Sequence, residues 1–286
     1  MPIPKGNKLQ NGITNGITET KPNLWSTLRK WIEALPTKTS EQRTRRETLD
    51  NELDFLVGEL GNTQGICGHK VVFCHCDLLC GNVIIEPPPS KDAVNASGQG
   101  MTATVAGTTR WGTYYSSHPD RPLGQAQPSK PCASGERPVS VSFIDYEYAT
   151  PAPAAFDIAN HFAEWGGFDC DYSALPTRSQ RRDFLQHYVH SYRSRVGEPT
   201  NGIRRGPIDD DIEQLFNEVD RFRGVPGFYW GIWALIQATI SQIDFDYASY
   251  AEVRLDEYWE WKRLTTTDQA QKPVPQTPRE KRWAEE

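Results

Sequence analysis

The stretch Lys70 to Ile85, KVVFCHCDLLCGNVII, constrains this chain more than any other. Val71, Val72 and Phe73 read as a strand, a short polar turn follows, and Val83, Ile84 and Ile85 read as a second strand. On that reading the segment is a small hairpin whose turn carries His75, Asp77 and Asn82 in the order H-x-D-x-x-x-x-N. A carboxylate and, five residues on, an amide can divide phosphoryl-transfer work. The Asp orients and deprotonates a hydroxyl, and the Asn holds a divalent metal. Asp and Asn are also ordinary turn residues, so the stretch alone does not separate a catalytic loop from a polar turn.

Around this stretch the pattern is helical. Leu24, Leu28, Trp31, Ile32 and Leu35 fall on one stripe and predict a helix over Asn23 to Leu35, stopped by Pro36. A second helix is predicted over Ser40 to Leu60, with Ser40 as N-cap, an apolar face late in the segment (Leu49, Leu53, Leu56, Val57, Leu60) and Gly61 at its end. Residues 1–22, with their NGITNGIT repeat and no hydrophobic face, read as a disordered tail. Residues 86–138 are rich in Pro, Gly, Ser, Thr and Ala without a sustained period. They read as a long disordered insert at the tip of a hairpin, because Val139 to Tyr146 resumes strand alternation and ends near Asp145.

Further helices are predicted over Ala155 to Trp165, Ser179 to Arg195 and Asp209 to Arg223, the last strongly amphipathic. A helix starting at Pro226 is apolar nearly all round and should be buried, and another runs from Tyr247 to Arg263. Residues 265–286, charged and Pro-containing, read as a second disordered tail. The expected fold class is mostly α with a small β element.

Composition narrows the partners. Nine Trp and 11% aromatic residues promise a real core, while a mean hydropathy of −0.63 indicates that polar segments dilute it. A net charge of −6 leaves no footprint for nucleic acid or an anionic membrane, and suits a cationic small molecule. The first twenty residues contain no apolar core of a secretory signal, and the apolar run Phe228 to Ile240 falls short of the ~20 residues a bilayer span needs. A soluble, cytoplasmic protein with reduced thiols is the expectation. Cys67, Cys74, Cys76 and Cys80 crowd together with His69 and His75, but their spacings do not match a zinc knuckle.

Asp145 changes the weight of the opening stretch. If both strand ends lie in one small sheet, Asn82 and Asp145 offer Mg²⁺ the hard oxygen ligands it asks for, and Asp77 is left free as base.

Four motifs in order, H-x-D-x-x-x-x-N, I-D-Y-E-Y, A-F-D-I-A-N-H-F-A-E-W and F-Y-W-G-I-W-A-L-I-Q-A, resemble the choline/ethanolamine kinase family. The resemblance runs from about Asn23 to Leu264 outside the insert. It implies a protein-kinase-like fold, of which this chain would hold the helical C-terminal lobe. It also implies phosphorylation of an amino alcohol with ATP and Mg²⁺, a step in phospholipid biosynthesis. By resemblance Asp77 is the catalytic base, with His75 beside it, Asn82 and Asp145 are the magnesium ligands, and Asp157 braces the loop from below. Glu164, Tyr148, Trp230, Trp233 and Tyr250 match positions lining the family's ammonium pocket, where a carboxylate and aromatic faces hold a cation. Without the resemblance, the two tryptophans would read as core packing.

The segments D-L-L-C-G-N, I-D-Y-E-Y and D-C-D-Y-S look more like the ethanolamine branch, which yields phosphoethanolamine, with choline the alternative acceptor. Cys76 stands where the family usually has Asn or Gly. Before Lys70 there is no Gly-rich strand-turn-strand and no lysine placed to hold ATP. A nucleotide lobe missing from this chain is therefore expected, and a catalytically silent substrate-binding or regulatory fragment is the alternative from another class. Aminoglycoside phosphotransferases share the first motif and Asp145 but do not account for the Trp-rich helix or for H-F-A-E-W. The expected partners are ethanolamine (or choline) and ATP, with no nucleic acid and no membrane insertion. A homodimer stays open.

Overall fold

A computed structural model describes residues 22–86, 140–197, 206–266 and 276–286. The chain divides into two units, one formed by Met1–Asn82 with Asp145–Glu286 and the other by Val83–Ile144. Most of the first tail and of the insert predicted as disordered, residues 1–21 and 87–138, lies outside the described residues.

The first unit is helical. Helix α1 (Leu24–Ala34) opens with a capping box in which Asn23 and Ser26 satisfy each other's backbone N–H, and it buries Leu24, Leu28 and Ile32. Helix α2 (Ser40–Leu60) buries Leu49, Leu53, Leu56 and Leu60 as expected, but its N-cap is Thr39, whose box partner is Gln42. Strand β1 (Val72–Cys74) leads to the loop carrying His75 and Asp77. After Asp145 come strand β4 (Thr150–Ala152), helix α3 (Ala154–Ala163) and 3₁₀ turns at Glu164–Gly166 and Tyr172–Ala174. Helices α4 (Arg178–Val196), α5 (Ile208–Phe222), α6 (Val225–Ile240), α7 (Tyr247–Thr266) and α8 (Pro278–Ala284) complete it.

Helix α5 buries the apolar stripe Ile212, Leu215, Phe216, Val219 and Phe222, and its Glu218 accepts the backbone N–H groups of Gln64 and Gly65 at 3.0 and 3.1 Å. That carboxylate fixes the turn feeding β1. Gly65 is required there: its φ is +73°, and a Cβ would lie 2.1 Å from the carbonyl oxygen of His69. Helix α6 is buried through its first two turns, while its end emerges and leaves Ile240 64% exposed. It meets α7 closely at Gly227, where a Cβ would stand 2.4 Å from the Arg254 carbonyl oxygen. Among the described residues no helix is long and apolar enough to cross a membrane.

The second unit contributes strands β2 (Val83–Glu86) and β3 (Ser140–Phe143), paired antiparallel with Val83 opposite Phe143. This is the hairpin predicted to carry the insert. The other predicted hairpin is corrected. Strands β1 and β2 do not pair with each other, and β1 pairs instead with β4, Val72 opposite Ala152 and Cys74 opposite Thr150. Asp77 therefore follows a strand of a different sheet, while Asn82 and Asp145 flank in sequence the paired residues Val83 and Phe143 of β2 and β3. The partner strand T-P-A has little strand propensity and was invisible to alternation.

The second tail is corrected as well. Residues 276–286 are structured: α8 is capped by Thr277 and buries Arg279, Glu280 and Trp283. The Trp283 ring lies 4.0 Å from the Arg181 guanidinium, and its Nε1 donates to Asp220 at 2.8 Å. The Arg178 backbone N–H donates to the Glu285 carbonyl at 2.7 Å. One apolar anchor and partnered charges hold a segment whose composition reads as solvent-loving.

Candidate active site

Helix α3 determines the site because its otherwise apolar sequence carries three polar residues on one face, with Glu164 continuing the line at its C-cap. Asp157, Asn160, His161 and Glu164 recur at i, i+3, i+4 and i+7, which stacks them along one line. Asp157 accepts the His75 N–H with one carboxylate oxygen at 3.0 Å and the Cys76 N–H with the other at 2.7 Å. Asn160 donates to the Cys76 carbonyl at 3.0 Å and accepts from Trp230 Nε1 at 2.8 Å. His161 donates from Nδ1 to the Leu78 carbonyl at 2.7 Å, while Nε2 accepts from Trp165 at 3.3 Å. Burial lowers the pKa of His161, so the ring is neutral with its proton on Nδ1. Three side chains of α3, Asp157, Asn160 and His161, thus hold the backbone of the loop at residues 75–78.

That restraint matters because the loop is not relaxed. Cys76 has a φ of +63°, a left-handed conformation that a non-glycine residue adopts at a cost of about 1 kcal/mol or more. Its thiol is buried, and burial beside Asp157 pushes the pKa up, so it is an inert packing group. The His75 ring lies 4.6 Å from that of Tyr146.

Asp77 is only 7% exposed. Asn82 donates its amide to the Asp77 carbonyl at 2.8 Å and to the carboxylate at 3.1 Å. Burial first, then the charge of Glu164, raises the Asp77 pKa to about 7; the Asn82 hydrogen bond opposes this, while Asp145 and Glu147 add to it. A carboxyl poised near neutrality, tethered and surrounded by like charge, is a group that can accept a proton. Asp145 is exposed, has a φ of +65°, and makes no ion pair among the described residues.

On the other flank, Tyr148 accepts from Trp233 Nε1 at 2.9 Å and meets the ring of Trp230 edge-on at 5.7 Å. Trp230 and Trp233 are perpendicular at 5.5 Å. Tyr250 is buried and accepts from Arg254 at 3.2 Å, with Phe168 and Phe245 against its ring at 5.8 and 5.6 Å. Glu164 is buried with Arg254 Nη1 3.4 Å from its carboxylate. Trp230 is thus both core and brace, since its indole reaches Asn160 and through it Cys76.

The residues singled out from the sequence gather around helix α3 and the 75–78 loop, with Asp145 entering through its charge on Asp77 alone. Those missed were Asn160, His161 and Arg254. The first two stand in the quoted motif A-F-D-I-A-N-H-F-A-E-W, and their spacing from Asp157 marks them. Arg254 had no signal of its own.

Among the described residues no three His, Cys, Asp or Glu side chains converge on a closed metal cage. The donor set suits a different ion. With its amide nitrogen committed to Asp77, Asn82 has its carbonyl oxygen left to offer, and Asp145 adds an exposed carboxylate. Such a pair fits Mg²⁺, which takes one or two protein oxygens and fills its octahedron with water and phosphate.

Comparison with known proteins identifies the family. The choline/ethanolamine kinase family model matches residues 6–259. Probable ethanolamine kinase A of Dictyostelium discoideum is 29% identical over 85% of this chain and 54% of its own length. Human ethanolamine kinase 1 is 29% identical over 86% of this chain and 44% of its own. A probable ethanolamine kinase of Nematostella vectensis reaches 43% over 42% of this chain and 34% of its own. The chain spans about half the length of the curated relatives it matches. In fold it is similar to the Plasmodium vivax ethanolamine kinase, with a TM-score of 0.52 at 23% identity over 85% of this chain and 50% of that one. With the match extending over most of its length, the chain belongs to the choline/ethanolamine kinase family.

Proposed function

We propose that this chain carries the acceptor and base half of an ethanolamine kinase, in the helical lobe of a protein-kinase-like fold. The observation carrying the reading is the Asp77 carboxyl, buried, tethered to Asn82 and raised to about 7. Asp77 would accept the hydroxyl proton of ethanolamine as the oxygen attacks the γ-phosphoryl of ATP. Asn82 and Asp145 would hold Mg²⁺, which when bound neutralises charge on the phosphate oxygens.

The acceptor's ammonium would lie against the Glu164 carboxylate and the aromatic faces of Tyr148, Trp230, Trp233 and Tyr250. Charge pairing together with cation–π attraction supports that assignment. Holding the hydroxyl by its own cationic end beside Asp77 turns a bimolecular encounter into a positioned one. Asp157, Asn160 and His161 would keep the loop in register. Phosphoethanolamine, a phospholipid precursor, would be the product.

Isothermal titration of the chain with ethanolamine, choline and Mg²⁺-ATP tests the reading, alongside a phosphoryl-transfer assay with each acceptor. Ethanolamine binding lost in Glu164→Gln, and transfer lost in Asp77→Asn with ethanolamine still bound, are expected. Near-normal transfer in Asp77→Asn would remove Asp77 from the role of base. Tighter choline binding would move the chain to the choline branch, and acceptor binding without transfer would make it a binding module.

A further inference from the structure

Glu164 stands at one end of a line of alternating, largely buried charges. Arg254 Nη1 lies 3.4 Å from Glu164, and Arg254 Nε lies 3.2 Å from Glu257 Oε2. Arg279 Nε is 3.7 Å from that same oxygen, and Arg279 Nη1 donates to Glu280 at 2.9 Å. Arg223 closes the line, donating to Glu280 at 3.0 Å. Three arginines balance three glutamates, and the side chain of Arg254 is only 2% exposed. Helix α8 supplies two of the six, Arg279 and Glu280, from beyond residue 259 where the family match ends.

Arg254 serves two carboxylates. How much of its charge reaches Glu164 depends on what else holds Glu257, and among the described residues the other cation at Glu257 is Arg279. With Arg279 gone, Glu257 would claim Arg254 in full, because a buried charge stripped of its partner is costly. We propose that α8 is a positioning element of the acceptor pocket, acting through Arg279, Glu257 and Arg254 on the Glu164 carboxylate. The identity of the ligand rests on the function proposed above; the coupling within the line does not.

The groups facing Glu164 are Arg254, Glu257 and Tyr250 of α7, Cys170 of the following loop, and Asp77. Tyr172 faces Glu257. Because Asp77 itself titrates near 7, the test is made in Asp77→Asn protein, with Glu164 followed by ¹³C NMR of the labelled carboxyl and assigned by Glu164→Gln.

Arg279→Gln is expected to raise the Glu164 titration midpoint by about one pH unit, and Arg279→Lys to restore it. Glu257→Gln, which frees Arg254 for Glu164, is expected to lower the midpoint, a change of sign that general loosening would not produce. In otherwise wild-type protein, ethanolamine affinity measured by calorimetry should fall about tenfold in Arg279→Gln at pH values below the Glu164 midpoint found by NMR, and recover as pH rises through it. An unmoved midpoint in both Arg279→Gln and Glu257→Gln, or an upward shift in both, overturns the inference. Midpoints that move as stated in protein that binds no ethanolamine would instead sink the proposed function and leave the coupling standing.

Discussion

Asp157 accepts the Cys76 N–H at 2.7 Å while Cys76 sits at a φ of +63°. The α3 carboxylate therefore holds a strained residue immediately before the candidate base. Asp157→Ala removes two acceptors at once, since His75 also donates to this carboxylate. Hydrogen exchange at the amides of His75 and Cys76 should quicken, and unfolding free energy should fall by about 2–4 kcal/mol. Phosphoryl transfer should drop by about tenfold or more, because the loop loses its geometry.

The raised Asp77 pKa has two consequences of opposite sign. Catalysis by an ionised base should fall tenfold per pH unit below about 7 in kcat/KM. Stability runs the other way. The folded pKa lies above the unfolded one, so the charged form is penalised in the native state and protonation favours folding. That contribution is fully present below about pH 4 and is lost as pH rises through about 7. Asp77→Asn, a neutral shape mimic, should raise unfolding free energy by roughly 1–3 kcal/mol at pH 8 and by little at pH 4. Urea titrations at the two pH values check this.

Trp230→Phe keeps most of the ring but deletes the donor that Asn160 uses at 2.8 Å. Asn160 is fully buried, so its carbonyl oxygen loses a partner at a cost of about 1–3 kcal/mol. Trp233→Phe instead releases the Tyr148 hydroxyl, which is less buried. We expect the first substitution to lower both stability and kcat, and the second to raise the KM for the amino alcohol with a smaller effect on melting. Steady-state kinetics beside thermal melts separate the two.

Helix α6 approaches α7 at Gly227, where a methyl would press on the Arg254 carbonyl. Gly227→Ala should cost about 1–3 kcal/mol, despite alanine's better helix propensity. Denaturant unfolding would show it. A stabilised variant would mean that the two helices can part at little cost.

Trp283→Ala removes the anchor of α8, which is 4% exposed and contacts Arg181 and Asp220. A loss of about 3–5 kcal/mol is expected by chemical denaturation. It should be accompanied by weaker ethanolamine binding, because Arg279 leaves with the helix.

Helices α1 and α5 were legible because each buries an apolar stripe that a helical period displays, as with Ile212, Leu215, Phe216 and Val219, and α6 because it is apolar nearly all round. The candidate loop was picked out by the order of His75, Asp77 and Asn82. Its sheet was not. Strands β1 and β4 are three residues each, too short for alternation to speak, and β4 contains Pro151. Helix α8 was misread because buried Arg279 and Glu280 look like solvent-facing charge until their partners, Glu257 and Arg223, are known. Arg254 escaped for the same reason. Charge complementarity between segments distant in sequence has no local signature.

The pairings of the four strands are nested like brackets, β2 with β3 inside β1 with β4. In sequence, residues 87–139 join β2 to β3, so the entropy of closing a connection of that length falls on the inner pair. It grows by only about 0.6 kcal/mol for each doubling of length. The outer register, Val72 to Ala152, is indifferent to how long the excursion is. The chain can therefore gain or shed sequence at this point without shifting the strand that delivers Asp77, and insertional drift and the chemistry of the loop can evolve on separate clocks.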